Sequence, residues 1–274
     1  MVSYCDGNLV LNKLNQVNET YQAYINRVAQ LTLPATYSAQ LQTIQQSPKF
    51  VNGQAVSFPG YSVITPPSKE DQINQGFYTK VQLIQQQLLE QLESDLIIPL
   101  PLESFHLTLA DLIWGDSYQQ AIKENAEFED KLRSQINHSF QQYQNLEQHF
   151  NNIQWQLWGL SIRPRAIMAC LAPKDQESYD AILNLRRCLY QNEGLIGLGI
   201  EQQYDFTAHI TLGYFNQISP DFNRSQFCII ISQIADRLLD GEPAIMKVVS
   251  GELRKFDNMI NYYRQSDWST ISFT

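Results

Sequence analysis

The sequence predicts an α+β or mixed α/β fold rather than a doubly wound parallel sheet. Three observations lead there. Strand-like and helix-like segments alternate along the 274 residues, yet strands also come in adjacent pairs, which a repeated β–α–β unit does not give. The chain is 43% hydrophobic and 11% aromatic, enough for a core of ordinary size. Two strand-like stretches, SFHLTLA at 104–110 and TAHITLG at 207–213, are nearly the same seven letters.

The elements follow in order. Residues 8–31 predict a helix, because Leu9, Leu11, Leu14, Val17, Tyr21, Tyr24, Ile25, Val28 and Leu31 mostly keep three-to-four spacing. A broken connector with a short helical piece lies between Pro34 and Pro48. GQAVSFPGYSVITPP is the first strand region, with Gly60 at a turn or bulge and Pro66-Pro67 ending it. Residues 68–94 predict a helix, with Ser68 and Asp71 as a capping pair and Phe77, Val81, Ile84, Leu88 and Leu92 as its stripe. The first motif strand covers 104–110, and a long Gln-rich helix covers 117–151. IQWQLWGLSIR and RAIMACLAP read as two strands parted near Pro164. A helix over 175–192 runs into EGLIGLG, a loop or helix end, and YDFTAHITLGYF is the second motif strand. A last helix starts near Ser219-Pro220, and the tail alternates as two strands joined near Asp257-Asn258.

Composition excludes several functions. Net charge is −9, so a long nucleic-acid tract is not an expected partner, whereas a small anion in one pocket is allowed. Cys5, Cys170, Cys188 and Cys228 are scattered with no CxxC pair, which fits a reduced, cytoplasmic protein better than a disulfide framework or zinc site. There is no basic leader with an apolar run, and no stretch approaches the ~18 apolar residues of a membrane span. GLIGLGIE lacks the pattern of a glycine-rich phosphate loop, and no cofactor is implied.

The repeated stretch is the chemical signal. Alternate strand residues share a face. One face of the first copy holds Ser104, His106, Thr108 and Ala110, and the matching face of the second holds Thr207, His209, Thr211 and Gly213. The opposite faces hold Phe105, Leu107 and Leu109, and Ala208, Ile210, Leu212 and Tyr214, suited to packing against helices. A single His-x-Thr would most simply be a half-buried strand with a satisfied histidine. At ordinary residue frequencies roughly one histidine in several hundred opens His-apolar-Thr-Leu; here two of four do.

His106-Leu-Thr-Leu and His209-Ile-Thr-Leu resemble the paired His-x-Thr signature of the 2H phosphoesterases, the superfamily of RNA ligase-like and cyclic phosphodiesterase proteins. KFVNGQAVSFPGYSVITPP, PLESFHLTLADL and LNLRRCLYQNEG…YDFTAHITLGYF extend the resemblance to a poorly characterised branch. It implies two similar α+β lobes with antiparallel or mixed sheets flanking a central cleft, helices outside, and one motif strand from each lobe. It covers roughly Lys49 to Phe215 and continues to the end, so that the implied bilobal domain is 49–274 and 1–48 is an N-terminal helical extension without a counterpart. The implied activity is hydrolysis of a small nucleotide or oligonucleotide phosphodiester, 2′,3′-cyclic or 2′,5′-linked. A non-catalytic nucleotide-binding module of the same fold is the alternative.

The residues suit that chemistry. Two imidazoles supply a base for water and an acid for the leaving oxygen, because their ordinary pKa lies near neutrality. Thr108 and Thr211 can donate to the non-bridging oxygens. A metal is not required, since neither copy brings a carboxylate or cysteine at ligand spacing. The two motif strands are expected side by side or nearly so. Arg163 and Arg165 flank Pro164, and Arg165 is the candidate to reach a phosphate, although solvated arginines are commoner. Tyr61 is a candidate base-stacking residue, with a core tyrosine as the competing role. His138 and His149 read as surface residues, Arg186-Arg187 as structural cations late in a helix, and the placement of Asp111 and Asp205 is left open.

Overall fold

The computed structural model describes residues 19–92, 95–148, 150–239 and 241–273. Cys5, His149, helical positions 8–18 and the last positions 93–94 of the expected second helix lie outside the described residues. Helix α1 (Tyr21–Leu31) starts where Thr20 Oγ1 accepts the Ala23 N–H, and α2 (Pro34–Leu41) begins at a proline that needs no N–H partner. A small hairpin, β1 (Phe50–Val51) with β2 (Gln54–Ala55), precedes β3 (Gly60–Ile64).

Helix α3 (Gln75–Gln91) begins later than Ser68, so Ser68 and Asp71 do not form the expected cap. Asp71 instead accepts from Asn74 N at 3.3 Å and Nδ2 at 2.7 Å, closing the turn ahead of the helix. A short strand β4 (Ile97–Pro99) precedes the first motif strand β5 (Thr108–Trp114). Ser104 falls in a single 3₁₀ turn, so the strand starts at the threonine and runs further than expected. The expected long helix is two, α4 (Gly115–Glu124) and α5 (Phe128–Gln144). Asn125 breaks it: its backbone is extended and its Oδ1 accepts the Glu127 N–H.

The hairpin β6 (Gln154–Arg163) and β7 (Ala166–Pro173) turns at Pro164 as predicted. Helix α6 (Gln176–Tyr190) is capped by Asp175, and the short α7 (Glu193–Ile196) by Asn192. The second motif strand is β8 (His209–Phe215). Helix α8 (Arg224–Leu239) starts beyond Ser219-Pro220, where Asn223 Oδ1 accepts from Gln226 N. The tail makes four short strands instead of two: β9 (Ile245–Lys247), β10 (Ser250–Phe256), β11 (Tyr262–Tyr263) and β12 (Thr270–Ser272).

The fold is α+β with two five-stranded antiparallel sheets. One runs β11–β10–β3–β5, with β12 also paired to β10; the other runs β4–β8–β7–β6–β9. The motif strands therefore do not pair with each other, and each belongs to its own sheet. Strand β5 is an edge, and its free carbonyls would otherwise be orphaned. Arg186, only 4% exposed, donates to Leu109 O at 2.7 Å, and Tyr190 donates to Asp111 O at 2.7 Å. Gln85 Nε2 joins Leu100 O and Leu212 O at 2.8 and 2.7 Å. The first two pins hold β5 to α6, and Gln85 holds β8 and the segment after β4 to α3. Among the described residues no helix is long and apolar enough to cross a membrane.

Candidate active site

The two sheets enclose a cleft of about 1020 Å³ whose lining includes His106, Thr108, His209 and Thr211. Local backbone geometry brings them there in matched fashion. His106 Nδ1 lies 2.7 Å from Ser104 O, and His209 Nδ1 lies 2.6 Å from Thr207 O. A carbonyl can only accept, so in each ring Nδ1 carries the proton and Nε2 presents its lone pair. Each histidine is thus held in one tautomer by the residue two positions before it. Neither threonine hydroxyl has a hydrogen-bond partner among the described residues, so both are available to a ligand in the cleft.

Strict alternation fails beyond the threonines. The pairing of β3 with β5 shifts register between Tyr61 and Ser62 and again between Val63 and Ile64. Thr108, Asp111 and Trp114 consequently share one face, opposite Ile64, Ser62 and Gly60. Asp111 lines the cleft, while Ala110, expected there, is buried on the other side. The pairing of β7 with β8 also shifts, so Tyr214 joins His209 and Thr211 on the cleft face rather than the apolar face. Each motif strand therefore adds a third residue, three positions after its threonine. A β-bulge of this kind re-aims a side chain without marking the sequence.

Electrostatics keep both imidazoles neutral in the open cleft. His106 is pushed down from 6.5 to about 4, mainly by loss of water around the ring, with the charges of His209 and Arg254 acting the same way and Ser104 O and Asp111 opposing. His209 is lowered too, by burial first and then by Arg163, against Thr207 O and Asp111. The His106 ring also packs on Tyr262, with centroids 4.3 Å apart.

Arg165 lines the cleft from its exposed rim, and Asp205 lies on the same rim. Arg163 Nη2 reaches Thr207 Oγ1 at 3.4 Å. Tyr61 does not reach the cleft. It is 0% exposed, donates to Glu129 Oε1 at 2.9 Å, and packs on Tyr118 and Trp268. Because β3 starts at Gly60, Ser62 takes the cleft face and Tyr61 the core face. His138 is exposed on α5, as expected for a surface residue.

Several residues that line or brace the cleft had no signal in the motifs. Arg27 of α1 binds Glu19 through both carboxylate oxygens and donates to Thr207 Oγ1 at 2.8 Å and Phe206 O at 2.6 Å. Tyr24 Oη donates to Leu171 O at 3.1 Å and accepts from Ala208 N at 3.0 Å. The N-terminal helix thus braces the segment that leads into His209. Tyr204 bonds Asp111 Oδ2 across the cleft. Lys49 enters from the connector before β1. Among the described residues no three His, Cys, Asp or Glu side chains converge as a cation site.

No protein-family model matches the sequence, and no curated protein matches it. Solved structures do. ATU0111 from Agrobacterium tumefaciens, a conserved protein of unknown function, superimposes with a TM-score of 0.55 at 15% identity, over 83% of this chain and 91% of that one. What the two share is the fold. TT0787 of Thermus thermophilus (TM-score 0.42, 12% identity, 78% of this chain and 97% of that one) and E. coli LigT complexed with 3′-AMP (TM-score 0.37, 14%, 78% and 92%) superimpose less closely. Phosphoesterase and LigT structures are thus among those this chain is similar to.

Proposed function

We propose that this chain is a 2H-type phosphoesterase that hydrolyses a small nucleotide or oligonucleotide phosphodiester, 2′,3′-cyclic or 2′,5′-linked, without a metal. The observation behind this reading is the duplicated geometry: two strands from two sheets, each bringing an Nδ1-anchored histidine and an unpartnered threonine hydroxyl to one cleft. In the reaction one Nε2 takes a proton from water as its oxygen bonds to phosphorus. The other imidazole, protonated, gives its proton to the leaving ribose oxygen as that P–O bond breaks. Thr108 and Thr211 donate to the non-bridging oxygens, where negative charge accumulates. Arg165 adds a cation at the rim, and residues 1–48 are an N-terminal extension whose Tyr24 and Arg27 brace the segment leading into His209.

The second reading, a nucleotide-binding module without turnover, draws on one observation: both imidazoles are held neutral, so the acid must gain its proton from the complex. Turnover of a panel of 2′,3′-cyclic nucleotides and 2′,5′-linked dinucleotides, in the presence of a chelator, tests the choice. Hydrolysis by the wild type that is abolished in His106→Ala and in His209→Ala supports catalysis. Nucleotide-induced thermal stabilisation without hydrolysis supports the binding module. Activity that vanishes with chelator and returns with a divalent cation removes the metal-free mechanism.

A further inference from the structure

Lys49 and Arg165 line the cleft beside Tyr214, five residues past His209 on β8. The ammonium of Lys49 sits 4.4 Å over the Phe58 ring and 5.3 Å from the Tyr214 ring, and its one hydrogen-bond partner among the described residues is Met259 Sδ at 3.2 Å. A thioether is a weak acceptor, so most of the ammonium's donor capacity is unused. Among the described residues neither Lys49 nor Arg165 has a carboxylate within ion-pair distance. Loss of water pushes the Lys49 ammonium down to about 8, Asp111 opposes, and Arg165 adds to the lowering. A desolvated ammonium on an aromatic floor with no carboxylate partner is costly unless an anion joins it, and Arg165 on the rim of the same cleft adds a second cation.

Their position says which anion. Tyr214 lies three residues past Thr211 on β8 with one residue bulged, and Phe58 contacts the end of β5 near Gly115. At ~3.3 Å per strand residue, Tyr214 lies about 7–10 Å along β8 from Thr211. A second phosphate on the same small molecule can span that step from a first one held by the histidines and threonines.

We propose that Lys49 and Arg165 form a second anion subsite, which selects nucleotides carrying a phosphate in addition to the one held by the histidines and threonines. The proposal rests on the histidine end being a phosphate site. Stable product-like ligands separate the two ideas: adenosine 2′-phosphate and adenosine 2′,5′-bisphosphate, titrated calorimetrically at pH 7. The bisphosphate is expected to bind about 10- to 100-fold tighter, the range of one or two charge-assisted hydrogen bonds. Lys49→Met should reduce that ratio to within about threefold of one while leaving adenosine 2′-phosphate affinity unchanged, and Arg165→Gln should lower the ratio as well. Because the ratio is taken within one protein preparation, partial unfolding of a variant does not affect it. Equal affinities in the wild type, or a preference that survives in the Lys49→Met/Arg165→Gln double variant, overturn the second subsite and leave the histidine site standing. Failure of the monophosphate alone to bind, with a Lys49-dependent bisphosphate complex, supports the subsite and removes the histidine phosphate site. No binding of either ligand overturns both.

Discussion

Binding a phosphodiester should pull one proton onto the histidine pair. In the open cleft His106 stands at about 4 and His209 is also lowered, so at pH 7 neither carries a proton. A general acid must carry one, which requires a rise of about three pH units, or roughly 4 kcal/mol. One phosphate charge can supply it: unit charges ~4 Å apart attract by about 4 kcal/mol at an effective dielectric of ~20. Only one ring gains the proton, because charge on one imidazole opposes charge on the other. Calorimetry with a hydrolysis-resistant phosphodiester, in two buffers of different ionisation enthalpy, counts the protons. The ligand has none of its own to exchange between pH 5 and 7.5. Uptake near one proton is expected around pH 5.5–6, falling to about half at a bound-state pKa near 7, with affinity weakening about tenfold per pH unit above that bound-state value and little between it and the open-cleft value of about 4 only where uptake is complete in neither state. Zero uptake with pH-independent affinity would refute the reasoning, as would uptake that persists in the His106→Gln/His209→Gln double variant.

Three further outcomes are expected. Thr108→Val and Thr211→Val, which keep shape and remove a donor, should each lower kcat/KM by up to about 10²-fold with the fold intact, as measured by kinetics and circular dichroism. Tyr61→Phe should leave turnover unchanged and cost about 1 kcal/mol in denaturant unfolding, since it removes one buried hydrogen bond to Glu129. Folding lowers the His106 pKa from 6.5 to about 4, so between those values the unfolded chain holds the extra proton and stability falls with pH. The full shift is worth roughly 3 kcal/mol, and a pH series of unfolding free energies should show a shallower acid decline in His106→Gln than in the wild type.

What the sequence revealed and concealed has physical reasons. His106, Thr108, His209 and Thr211 were legible because a strand's period of two is fixed by backbone geometry. That period fails at bulges, which is why Asp111 and Tyr214 were missed on the cleft face. Tyr61 was misplaced because the face a strand residue takes depends on register with its neighbours, and nothing local sets that for Gly60–Ile64. The break at Asn125 was readable in principle, since an asparagine can bond its own backbone, yet the Gln-rich polar pattern continues through it. Arg27 and Lys49 reach the cleft, and Tyr24 braces the strand behind it, only through long-range packing, at separations such as the 180 residues between Arg27 and Thr207. The α+β class was visible in the adjacent strand pairs, whereas the assignment of β5 and β8 to separate sheets depends on pairing that alternation does not encode.

The central claim is that both histidines act on one phosphate. A crystal structure of the protein with a hydrolysis-resistant 2′,3′-cyclic phosphate analogue tests it most directly. The expected result is a single phosphate with Nε2 of His106 and Nε2 of His209 on opposite sides, each within about 3 Å of an oxygen or one water away, and both threonine Oγ1 atoms on its non-bridging oxygens. A phosphate held by one histidine alone, with the other ring turned from it, would contradict the two-histidine mechanism.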